Sequence, residues 1–451
     1  MRIAPWLLSA LLLSLTASQG AEARQPNVII LYTDDQGAID APGFGADDLA
    51  LPHLAALADG GVRLTQCYAP APVCSPSRAG LLTGRYPYRA GVPGNVSSTH
   101  GDAGMPGSEV TMAEMFKAAG YATGHFGKWH LGFTPETMPN AQGFDYSFGH
   151  MGGCIDNYSH FFYWQGPNRH DLYRNGEEIY EDGKYFPDLV ADEAGRFIGE
   201  HRDTPFFLYI AINMPHYPYQ GKEHWLKHYQ DQGTPYPRDL YAAFLSSMDD
   251  VIGDILARLD GEGLADDTIV VYQADNGYSV EDRAHYGGGS AGPYRGAKFS
   301  MFEGGIRVPA AIRWPGHLPA GAVCDKPAHG TDWLPTLADL CGVAPPERPL
   351  DGKSIAAMLR DPDAPSPHEA MVWHLGRGRT AQWAVRQGDW KLKVNNNDPT
   401  TKDAVDSPFL ANLADDPGEQ TNRAAEHPEL IEQLTAVHEA WLADVEREEK
   451  R

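Results

Sequence analysis

The chain has 451 residues, of which 42% are hydrophobic and 21% charged, a composition typical of a globular protein. This length exceeds what one hydrophobic core usually serves, which predicts one large domain and a smaller one. The formal net charge of −24 argues against nucleic acid or an anionic membrane surface as the main partner, although an anionic small molecule could still bind in a local basic pocket.

The first residues have the pattern of a secretory signal peptide. Arg2 supplies the positive start, and the apolar run Trp6–Leu15 is too short to span a bilayer as a stable anchor. Ala21-Glu22-Ala23 fits a signal-peptidase site, which predicts a signal peptide over residues 1–23 and a mature chain from about Arg24. Because no second apolar stretch is long enough to cross a membrane, we expect a periplasmic or secreted protein without a stable membrane anchor.

Three short apolar runs, each followed by polar residues, predict strands that are buried on both faces of a parallel sheet. They cover residues 28–33, 205–212 and 268–272. The segments 52–60 and 241–259 are helix-like, and the second has apolar residues at helical spacing. Alternating strands and helices predict an α/β domain with helices on both faces, in which ligands bind beyond the carboxyl ends of the strands.

After about residue 365 the pattern changes to short strands and one long helix. Residues 383–393 read as a β-hairpin, and the chain ends in a helix from Pro428. We therefore predict a large domain over residues 24–365. A small α+β domain, with an antiparallel sheet and a terminal helix, would follow over residues 366–451 and pack on the large one.

Oxygen ligands follow two of the predicted strands. Asp34 and Asp35 end the first strand, and Asp275 and Asn276 follow the third. Adjacent carboxylates repel each other unless a cation or hydrogen bonds compensate. Taken alone, a pair of adjacent aspartates most simply indicates a solvated turn. Three carboxylates with an amide oxygen suit calcium or magnesium better than zinc. Together the two pairs predict a site for a hard cation.

Basic and imidazole groups recur between these strands. Lys128 and His130 stand two residues apart, so an extended backbone would project both to one side. His216 follows the second predicted strand, and Lys298 lies in a glycine-rich segment further along. Each is most simply a structural residue when it is taken alone. As a set beside a metal, they would bind a tetrahedral anion and stabilise the charge that develops on it.

The chain has five cysteines, an odd number: Cys67, Cys74, Cys154, Cys324 and Cys341. In an oxidising compartment an odd cysteine is partnered outside the chain or is chemically special. Setting Cys74 aside leaves four cysteines with three possible pairings. Cys74 precedes a predicted helix start, where the helix dipole would assist a nucleophile. The residues alone leave open a buried structural cysteine, a thiolate nucleophile and a modified residue.

The chain resembles the type I sulfatases of the alkaline phosphatase superfamily over nearly all of its mature length. Cys74-Ser-Pro-Ser-Arg78 matches their C-x-P-x-R maturation signature, and Leu82-Thr-Gly-Arg85 matches its usual extension. Other matching motifs follow in the expected order: Asp34-Asp35, Gly127-Lys-Trp-His130, Asp275-Asn276-Gly277 and Arg295-Gly-Ala-Lys298. The resemblance implies an alkaline phosphatase-like fold with a large mixed, mainly parallel sheet flanked by helices.

The resemblance also implies a cofactor set. Cys74 would be oxidised to formylglycine by a formylglycine-generating or sulfatase-maturing enzyme, and it would act as the aldehyde hydrate. One calcium ion would bind the modified residue 74 together with Asp34, Asp35, Asp275 and Asn276. This metal would favour the ionised form of the hydrate that attacks sulfur.

Roles for the remaining residues are implied by the same resemblance. Arg78 would orient and stabilise the hydrate, and Lys128 and Lys298 would hold the sulfate oxygens. His216 would protonate the departing alcohol, which makes it a substrate-binding residue as well. His130 would remove the proton from the second hydroxyl, which expels sulfate and restores the aldehyde.

A sulfated carbohydrate is the preferred substrate, partly because export is expected. The segments 100–102, 152–160 and 161–164, rich in aromatic or polar residues, could line its pocket. Hydrolysis of a phosphodiester or phosphonate monoester on the same fold is an alternative. A second alternative is a non-catalytic protein that binds sulfated glycans and keeps Cys74 unmodified.

Overall fold

A computed structural model describes residues 24–164 and 166–449, so the predicted signal peptide over residues 1–23 lies outside the described residues. The helices are as follows: α1 (Pro52–Asp59), α2 (Cys74–Thr83), α3 (Met112–Ala118), α4 (Phe186–Glu200), α5 (Glu223–Asp231), α6 (Arg238–Gly261), α7 (Glu303–Ile306), α8 (Trp333–Cys341), α9 (Ala356–Arg360) and α10 (Pro428–Glu449). Within the described ranges, no helix is long and apolar enough to cross a membrane.

The strands form two main sheets and a short two-stranded ribbon. Those of the large sheet are β1 (Asn27–Thr33), β2 (Val62–Tyr68), β3 (Ala122–Lys128), β4 (Tyr146–His150), β7 (Tyr173–Arg174), β8 (Glu177–Glu178), β9 (Phe206–Ala211), β10 (Thr268–Ala274), β11 (Arg307–Arg313), β12 (Ala322–Cys324) and β13 (Ala328–His329). The ribbon pairs β5 (Phe161–Phe162) with β6 (Arg169–His170). The small sheet contains β14 (Met371–Leu375), β15 (Gln382–Gln387), β16 (Trp390–Val394) and β17 (Phe409–Asn412).

The large sheet is mixed and mainly parallel, as predicted. Its strand order is β12-β2-β11-β10-β1-β9-β3-β4-β7-β8, with β13 beside β2. The run β10-β1-β9-β3-β4 is parallel throughout, whereas β11 is antiparallel to both β10 and β2. The carboxyl ends of five neighbouring strands therefore meet at one edge of the sheet, where an α/β fold collects its ligands.

The central strand β1 explains why the sheet is covered on both faces. All seven of its residues are buried. Val28 and Ile30 pack into one hydrophobic core, while Ile29 and Leu31 pack into another on the opposite face. Because successive side chains alternate between faces, a continuous apolar run requires cover on both sides. The predicted strands at 28–33, 205–212 and 268–272 are confirmed as β1, β9 and β10.

The helix predictions are confirmed too, with small shifts at the ends. The segment 52–60 forms α1, and 241–259 lies within the longer α6. The hairpin at 383–393 is β15 and β16, which are the inner strands of the antiparallel sheet β14-β15-β16-β17. Helix α10 begins at Pro428 and packs its Leu434 side chain into the core of this sheet. The domain boundary at residue 365 stays a prediction.

All five cysteines are buried and carry free thiols in the described residues. None of the three pairings left open by the sequence is formed. Cys341 packs in the hydrophobic core as a small apolar side chain, which agrees with its place in an apolar run.

Candidate active site

Four predicted oxygen ligands meet where β1 and β10 end. The two strands are parallel and in register, with Thr33 opposite Ala274, so the residues that follow are neighbours. Asp34, Asp35, Asp275 and Asn276 are all buried. The backbone N–H of Asp35 donates to Asp275 Oδ1 at 3.1 Å, and Asn276 Nδ2 donates to Asp35 Oδ1 at 2.7 Å. The predicted cluster is therefore assembled by the sheet itself.

Cys74 is the first residue of α2, a helix whose ten residues are all buried. Its Sγ lies 3.6 Å from Asp34 Oδ1, so the thiol enters the carboxylate cluster. Ligand atoms of Cys74, Asp34, Asp35 and His216 lie within 4.8 Å of one another. Burial raises the pKa of the Cys74 thiol to about 12, although Lys128 acts in the opposite direction. Cys74 therefore combines two positions: it begins helix α2, and its thiol contacts the carboxylate cluster.

Arg78 reaches the same centre from the next turn of α2. Its Nη2 donates to Asp275 Oδ2 at 2.9 Å and lies 3.5 Å from Asp34 Oδ1. Its Nη1 donates to the backbone carbonyl of Lys128 at 3.1 Å. Residues four apart share a helix face, which places the guanidinium beside Cys74. The spacing of the maturation signature is therefore also the spacing that brings both side chains to one place.

Two lysines neutralise the aspartates at the end of β1. Lys128, the last residue of β3, donates from Nζ to Asp34 Oδ2 at 2.6 Å. Lys298 donates from Nζ to Asp35 Oδ2 at 2.8 Å. Both lysines are almost completely buried. Because each lysine contacts a different aspartate of the cluster, an anion bound between them would contact two ammonium groups.

The two predicted catalytic histidines use different ring nitrogens. His216 Nδ1 faces the carbonyl oxygen of Tyr217 at 2.8 Å and must be protonated there, which leaves Nε2 3.5 Å from Asp35 Oδ2. His130 Nε2 faces the carbonyl oxygen of Val96 at 3.1 Å, and its Nδ1 has no hydrogen-bond partner in the described residues. Since a carbonyl oxygen only accepts, the lone pairs lie on Nε2 of His216 and Nδ1 of His130.

The prediction of an extended backbone from Lys128 to His130 is wrong. Strand β3 ends at Lys128, and His130 has a left-handed conformation with a φ of 54°. The chain turns here, and the His130 ring lies beside Gly153, where an added Cβ would come within 2.9 Å of its Cε1 atom. A turn rather than a strand therefore positions the imidazole.

Crowded charges give the carboxylates different affinities for protons. Burial would raise the pKa of Asp34, yet the positive charges of Lys128 and Arg78 hold it well below its usual value. Burial raises the pKa of Asp35 to about 6, with Lys298 opposing it. Burial and the neighbouring Asp34 raise the pKa of Asp275 to about 8. At Asp35 and Asp275, burial and the neighbouring carboxylates therefore outweigh the effect of the nearby cations on the pKa.

The imidazoles are held neutral by the same surroundings. Burial lowers the pKa of His130 well below its usual value, and the positive charges of Lys128 and Arg78 add to this effect. Burial and Lys298 lower the pKa of His216 in the same way. Neutral rings can accept a proton at the free nitrogens, which is what acid–base exchange with a bound ester requires.

The donor set fits a hard divalent cation. Three carboxylates and the amide of Asn276 present only oxygen ligands, the type that calcium and magnesium prefer. Asn276 Oδ1 is buried and has no hydrogen-bond partner among the described residues, while its Nδ2 is engaged with Asp35. A cation would satisfy this oxygen, which is otherwise costly to bury.

The structure adds neighbours that sequence reasoning missed. Glu281 lies with its Oε2 3.6 Å from Lys298 Nζ, and Tyr209 accepts a hydrogen bond from Arg78 Nη1 at 3.4 Å. Glu281 belongs to a loop without any recognisable motif. Tyr209 lies inside an apolar strand and has the sequence signature of a core residue. Neither position could be found from local pattern.

The predicted pocket segments have different surroundings. Phe162 and Trp164 pack with Tyr217 and Cys154 in one cluster, and Tyr217 directly follows His216. The segment 100–102 pairs instead with Phe133 through two backbone hydrogen bonds. Aromatic side chains from 161–164 therefore lie next to a predicted catalytic histidine, whereas the part of 100–102 in the pocket stays a prediction.

Known proteins are similar to this chain in sequence and in fold. Residues 26–343 match the Sulfatase family, and residues 296–443 match the C-terminal region of N-sulphoglucosamine sulphohydrolase. The chain belongs to the sulfatase family. This sulfatase is 33% identical to human arylsulfatase A over 470 residues, which cover 94% of this chain and 89% of that protein.

Bacterial relatives are similarly complete. The N-acetylgalactosamine-6-O-sulfatase of Bacteroides thetaiotaomicron is 29% identical over 513 residues, which cover 93% of this sulfatase and 94% of that protein. The crystal structure of Ps i-CgsB in complex with k-i-k-neocarrahexaose matches with a TM-score of 0.84 and 29% identity, covering 93% of each chain. The sulfatase is accordingly a sulfuric ester hydrolase with the fold of the alkaline phosphatase superfamily.

Proposed function

We propose that this sulfatase hydrolyses a sulfate ester of a carbohydrate with formylglycine, derived from Cys74, as its nucleophile. One Ca²⁺ would be held by Asp34, Asp35, Asp275 and Asn276. The observation that carries the proposal is the position of the Cys74 side chain, buried at the start of α2 with Sγ 3.6 Å from Asp34 Oδ1. A side chain at this point lies next to the cation ligands and to the basic groups that would bind sulfate.

Formal charges support a bound cation. The three carboxylates of the cluster are balanced by Arg78, Lys128 and Lys298, so the protein groups sum to zero when all are ionised. A sulfate monoester and an ionised nucleophile would add two negative charges, which one Ca²⁺ would neutralise. Bound calcium would supply Lewis-acid stabilisation of the ionised nucleophile and of the charge on sulfate oxygens. The protein groups then need only to position the anion and move protons.

The lysines have the geometry of anion clamps. Each ammonium has three N–H donors and uses one on an aspartate oxygen, at 2.6 Å for Lys128 and 2.8 Å for Lys298. The remaining donors are available to sulfate oxygens in a buried site, where charged hydrogen bonds are strong. In this proposal the lysines orient sulfur toward residue 74.

The histidines would move protons at identified atoms. His216 Nε2 lies 3.5 Å from Asp35 Oδ2 and would first have to take up a proton, which it would then pass to the departing alcohol. His130 Nδ1 is free to accept a proton and would take it from the side chain of residue 74. Formylglycine would supply two hydroxyls on one carbon, one for attack on sulfur and one for release of sulfate by carbon–oxygen cleavage. In this proposal His216 Nε2 serves as the acid in the first step and His130 Nδ1 as the base in the second.

A carbohydrate substrate is proposed from the aromatic side chains next to His216 and from the relatives. Trp164 and Tyr217 form an edge-to-face pair with ring centroids 6.0 Å apart, and Tyr217 directly follows His216. Aromatic side chains commonly line the sites of small ligands. The named relatives include an N-acetylgalactosamine-6-O-sulfatase and a structure in complex with k-i-k-neocarrahexaose. The relatives are named as sulfatases, which favours a sulfate ester over the alternatives of a phosphodiester or a phosphonate ester.

The decisive experiment is the mass of the tryptic peptide 64–78, isolated from the native host or from a host with a maturing enzyme. We expect an aldehyde at residue 74 and an ordinary thiol at Cys67, which lies in the same peptide and serves as an internal control. The variant Cys74→Ala should fold and release no sulfate. A plain thiol at residue 74 in active protein would contradict the proposed nucleophile.

Two further measurements separate the parts of the proposal. Turnover of an aryl sulfate should exceed that of a matched aryl phosphodiester, and sulfated oligosaccharides should be desulfated faster than the aryl compound. Removal of calcium by a chelator should abolish turnover, and added calcium should restore it. Full activity in the chelator would contradict the cation site without affecting the assignment of the substrate.

Export is proposed from the predicted signal peptide over residues 1–23. The mature protein from the native host should begin near Arg24 and be found outside the cytoplasm. N-terminal sequencing and cell fractionation measure both. An intact Met1 in the active protein would contradict this part alone.

A further inference from the structure

A second group of possible metal ligands lies between β4 and α4, in the segment that folds beside the active site. A ring nitrogen of His160, a ring nitrogen of His170 and a carboxylate oxygen of Asp182 lie within 4.8 Å of one another. His160 is 0% and His170 8% exposed, while Asp182 lies at the surface. The group therefore has two buried walls and an open side, through which an ion could enter.

The outer nitrogen of each ring is already engaged. His160 Nε2 faces the carbonyl oxygen of Lys184 at 3.1 Å, and His170 Nδ1 faces Glu178 Oε1 at 3.1 Å. Both acceptors require a proton on the histidine nitrogen. The inner nitrogens, Nδ1 of His160 and Nε2 of His170, are buried and have no hydrogen-bond partner in the described residues. They are consequently the atoms left to coordinate an ion.

This pattern is the one that orients histidine ligands in metal sites. A ligating imidazole donates its second N–H to a carboxylate or a backbone carbonyl, which fixes the tautomer and raises the basicity of the ligating nitrogen. Here Glu178 supplies a carboxylate and Lys184 a carbonyl. Two imidazole nitrogens and one carboxylate suit zinc or a similar transition metal rather than calcium.

The local backbone supports a fixed position for these rings. His160 has a left-handed conformation with a φ of 59°, which is uncommon for a bulky residue. The ring of His170 stacks on Tyr180 at a centroid distance of 4.3 Å. Tetrahedral ligand atoms at about 2.0–2.1 Å from zinc are ~3.3 Å apart. The ligand atoms of these three residues lie within 4.8 Å of one another, so each pair needs to approach by at most ~1.5 Å to bind zinc. The exposed Asp182 side chain can supply much of this movement.

We propose that His160, His170 and Asp182 bind a zinc-type divalent cation that pins the segment between β4 and α4. This segment contacts the active-site loop, since Asn213 Nδ2 donates to Asn157 Oδ1 at 2.8 Å only three residues before His216. The ion would therefore stabilise one wall of the active site without touching the sulfate. Its site is separate from the oxygen cluster of Asp34 and does not depend on formylglycine.

The test uses the tag-free mature protein with calcium in excess, so that the oxygen cluster cannot take the added metal. Titration with Zn²⁺ should show one tight equivalent by calorimetry and should raise the melting temperature, as binding to the folded state requires. Substituted Co²⁺ should give the visible absorption of a tetrahedral site. Absence of a tight equivalent would overturn the proposal.

Variants locate the ion. His160→Asn keeps a residue that tolerates positive φ, and Asp182→Asn changes only an exposed side chain. Each should lower zinc affinity by more than the ~10–100-fold expected for loss of an outer partner, which Glu178→Gln tests directly. His224→Asn, a surface change on α5, is the matched control and should leave binding unchanged. Zinc binding unchanged in both His160→Asn and Asp182→Asn would overturn the assignment.

Discussion

Arg78 lies one helical turn after Cys74 and contacts two aspartates and a backbone carbonyl at once. Its Nη2 donates to Asp275 and forms an ion pair with Asp34, and its Nη1 donates to the backbone carbonyl of Lys128. The planar fork of a guanidinium can make such contacts in several directions together, whereas an ammonium is a single point charge on a flexible stem. The charge and the shape of this residue therefore have separate consequences, and a conservative substitution can distinguish them.

We expect Arg78→Lys to keep the charge and lose the geometry. Turnover of an aryl sulfate should fall at least ~100-fold, because a preorganised donor near the developing charge is worth ~10²–10³ in rate. Arg78 is also part of the maturation signature, so turnover must be divided by the formylglycine content from the mass of peptide 64–78. Arg89→Lys, which contacts Asp351 away from the site, is the control. Normalised turnover within ~3-fold of the original protein would contradict the role.

The proposed role of His130 Nδ1 as a proton acceptor can be tested by substitution. Asn suits its left-handed backbone, since Asn tolerates a φ of 54° better than most residues. His130→Asn removes the free Nδ1 while keeping the turn, so we expect kcat to fall by ~10²–10⁴ with a nearly unchanged melting temperature. The kinetics of aryl sulfate hydrolysis and a thermal melt measure both. A kcat within ~3-fold of the original value would exclude this nitrogen as the base.

At the scale of elements, the end of β3 depends on a glycine. Gly127 has a φ of 108°, and a Cβ at this position would lie 2.1 Å from the carbonyl oxygen of Ala211 in β9. The neighbouring backbone cannot move easily because β9 is a central strand that also pairs with β1. Glycine therefore permits the close approach that holds Lys128 at the end of the strand.

Gly127→Ala should separate β3 from β9 and displace Lys128. We expect a lower melting temperature together with a loss of aryl sulfate turnover, since the lysine ammonium would no longer reach Asp34 at 2.6 Å. Gly261→Ala is the matched control, because an added Cβ there meets nothing within 4 Å at the end of α6. The prediction fails if Gly127→Ala behaves like the control in both measurements.

The strands that position the site are the part of the structure that the sequence predicts best. Apolar runs ending in polar residues located β1, β9 and β10, and parallel pairing then brings their ends together. The turn at His130 was missed because a left-handed conformation has no sequence pattern in a non-glycine residue. The His160–His170 pair was missed for a related reason. His160 and Asp182 lie outside the strands and His170 lies in a strand of two residues, so no periodicity marks any of them.

At the scale of the whole molecule, four buried charges join the two sheets. Lys391 on β16 donates to Glu303 Oε1 at 2.7 Å, and Glu303 begins α7, next to the large sheet. Lys393 pairs with Glu419, whose Oε2 accepts the backbone N–H of Glu303 at 2.6 Å. Tyr68 at the end of β2 also donates to Glu303, at 2.6 Å. This network could not be predicted, because the two lysines of β16, the glutamate of α7 and the glutamate of a loop are far apart in sequence.

Breaking this network should loosen the junction between the sheets. Glu303→Gln leaves Lys391 with only a shared partner, Glu419 at 3.4 Å, and removing one member of a buried pair costs about 3–5 kcal/mol in the free energy of unfolding. Urea unfolding followed by tryptophan fluorescence measures the loss at pH 7.5. Glu439→Gln, an exposed change on α10, is the control and should stay within ~0.5 kcal/mol of the original protein. A loss below ~1 kcal/mol for Glu303→Gln would contradict the structural role.

The same carboxylate predicts a specific pH dependence. Burial would raise the pKa of Glu303, but Lys391 and Arg307 lower it from 4.5 to about 2. A carboxylate with a lower pKa in the folded state stabilises the fold above its unfolded pKa and loses this contribution as pH falls through the folded value. The difference in unfolding free energy between the original protein and Glu303→Gln should thus stay constant from about pH 7.5 to 5.5 and shrink only below about 4.5. A difference that already shrinks between pH 7.5 and 5.5 would show that Glu303 takes up its proton near neutrality and is not held ionised by Lys391.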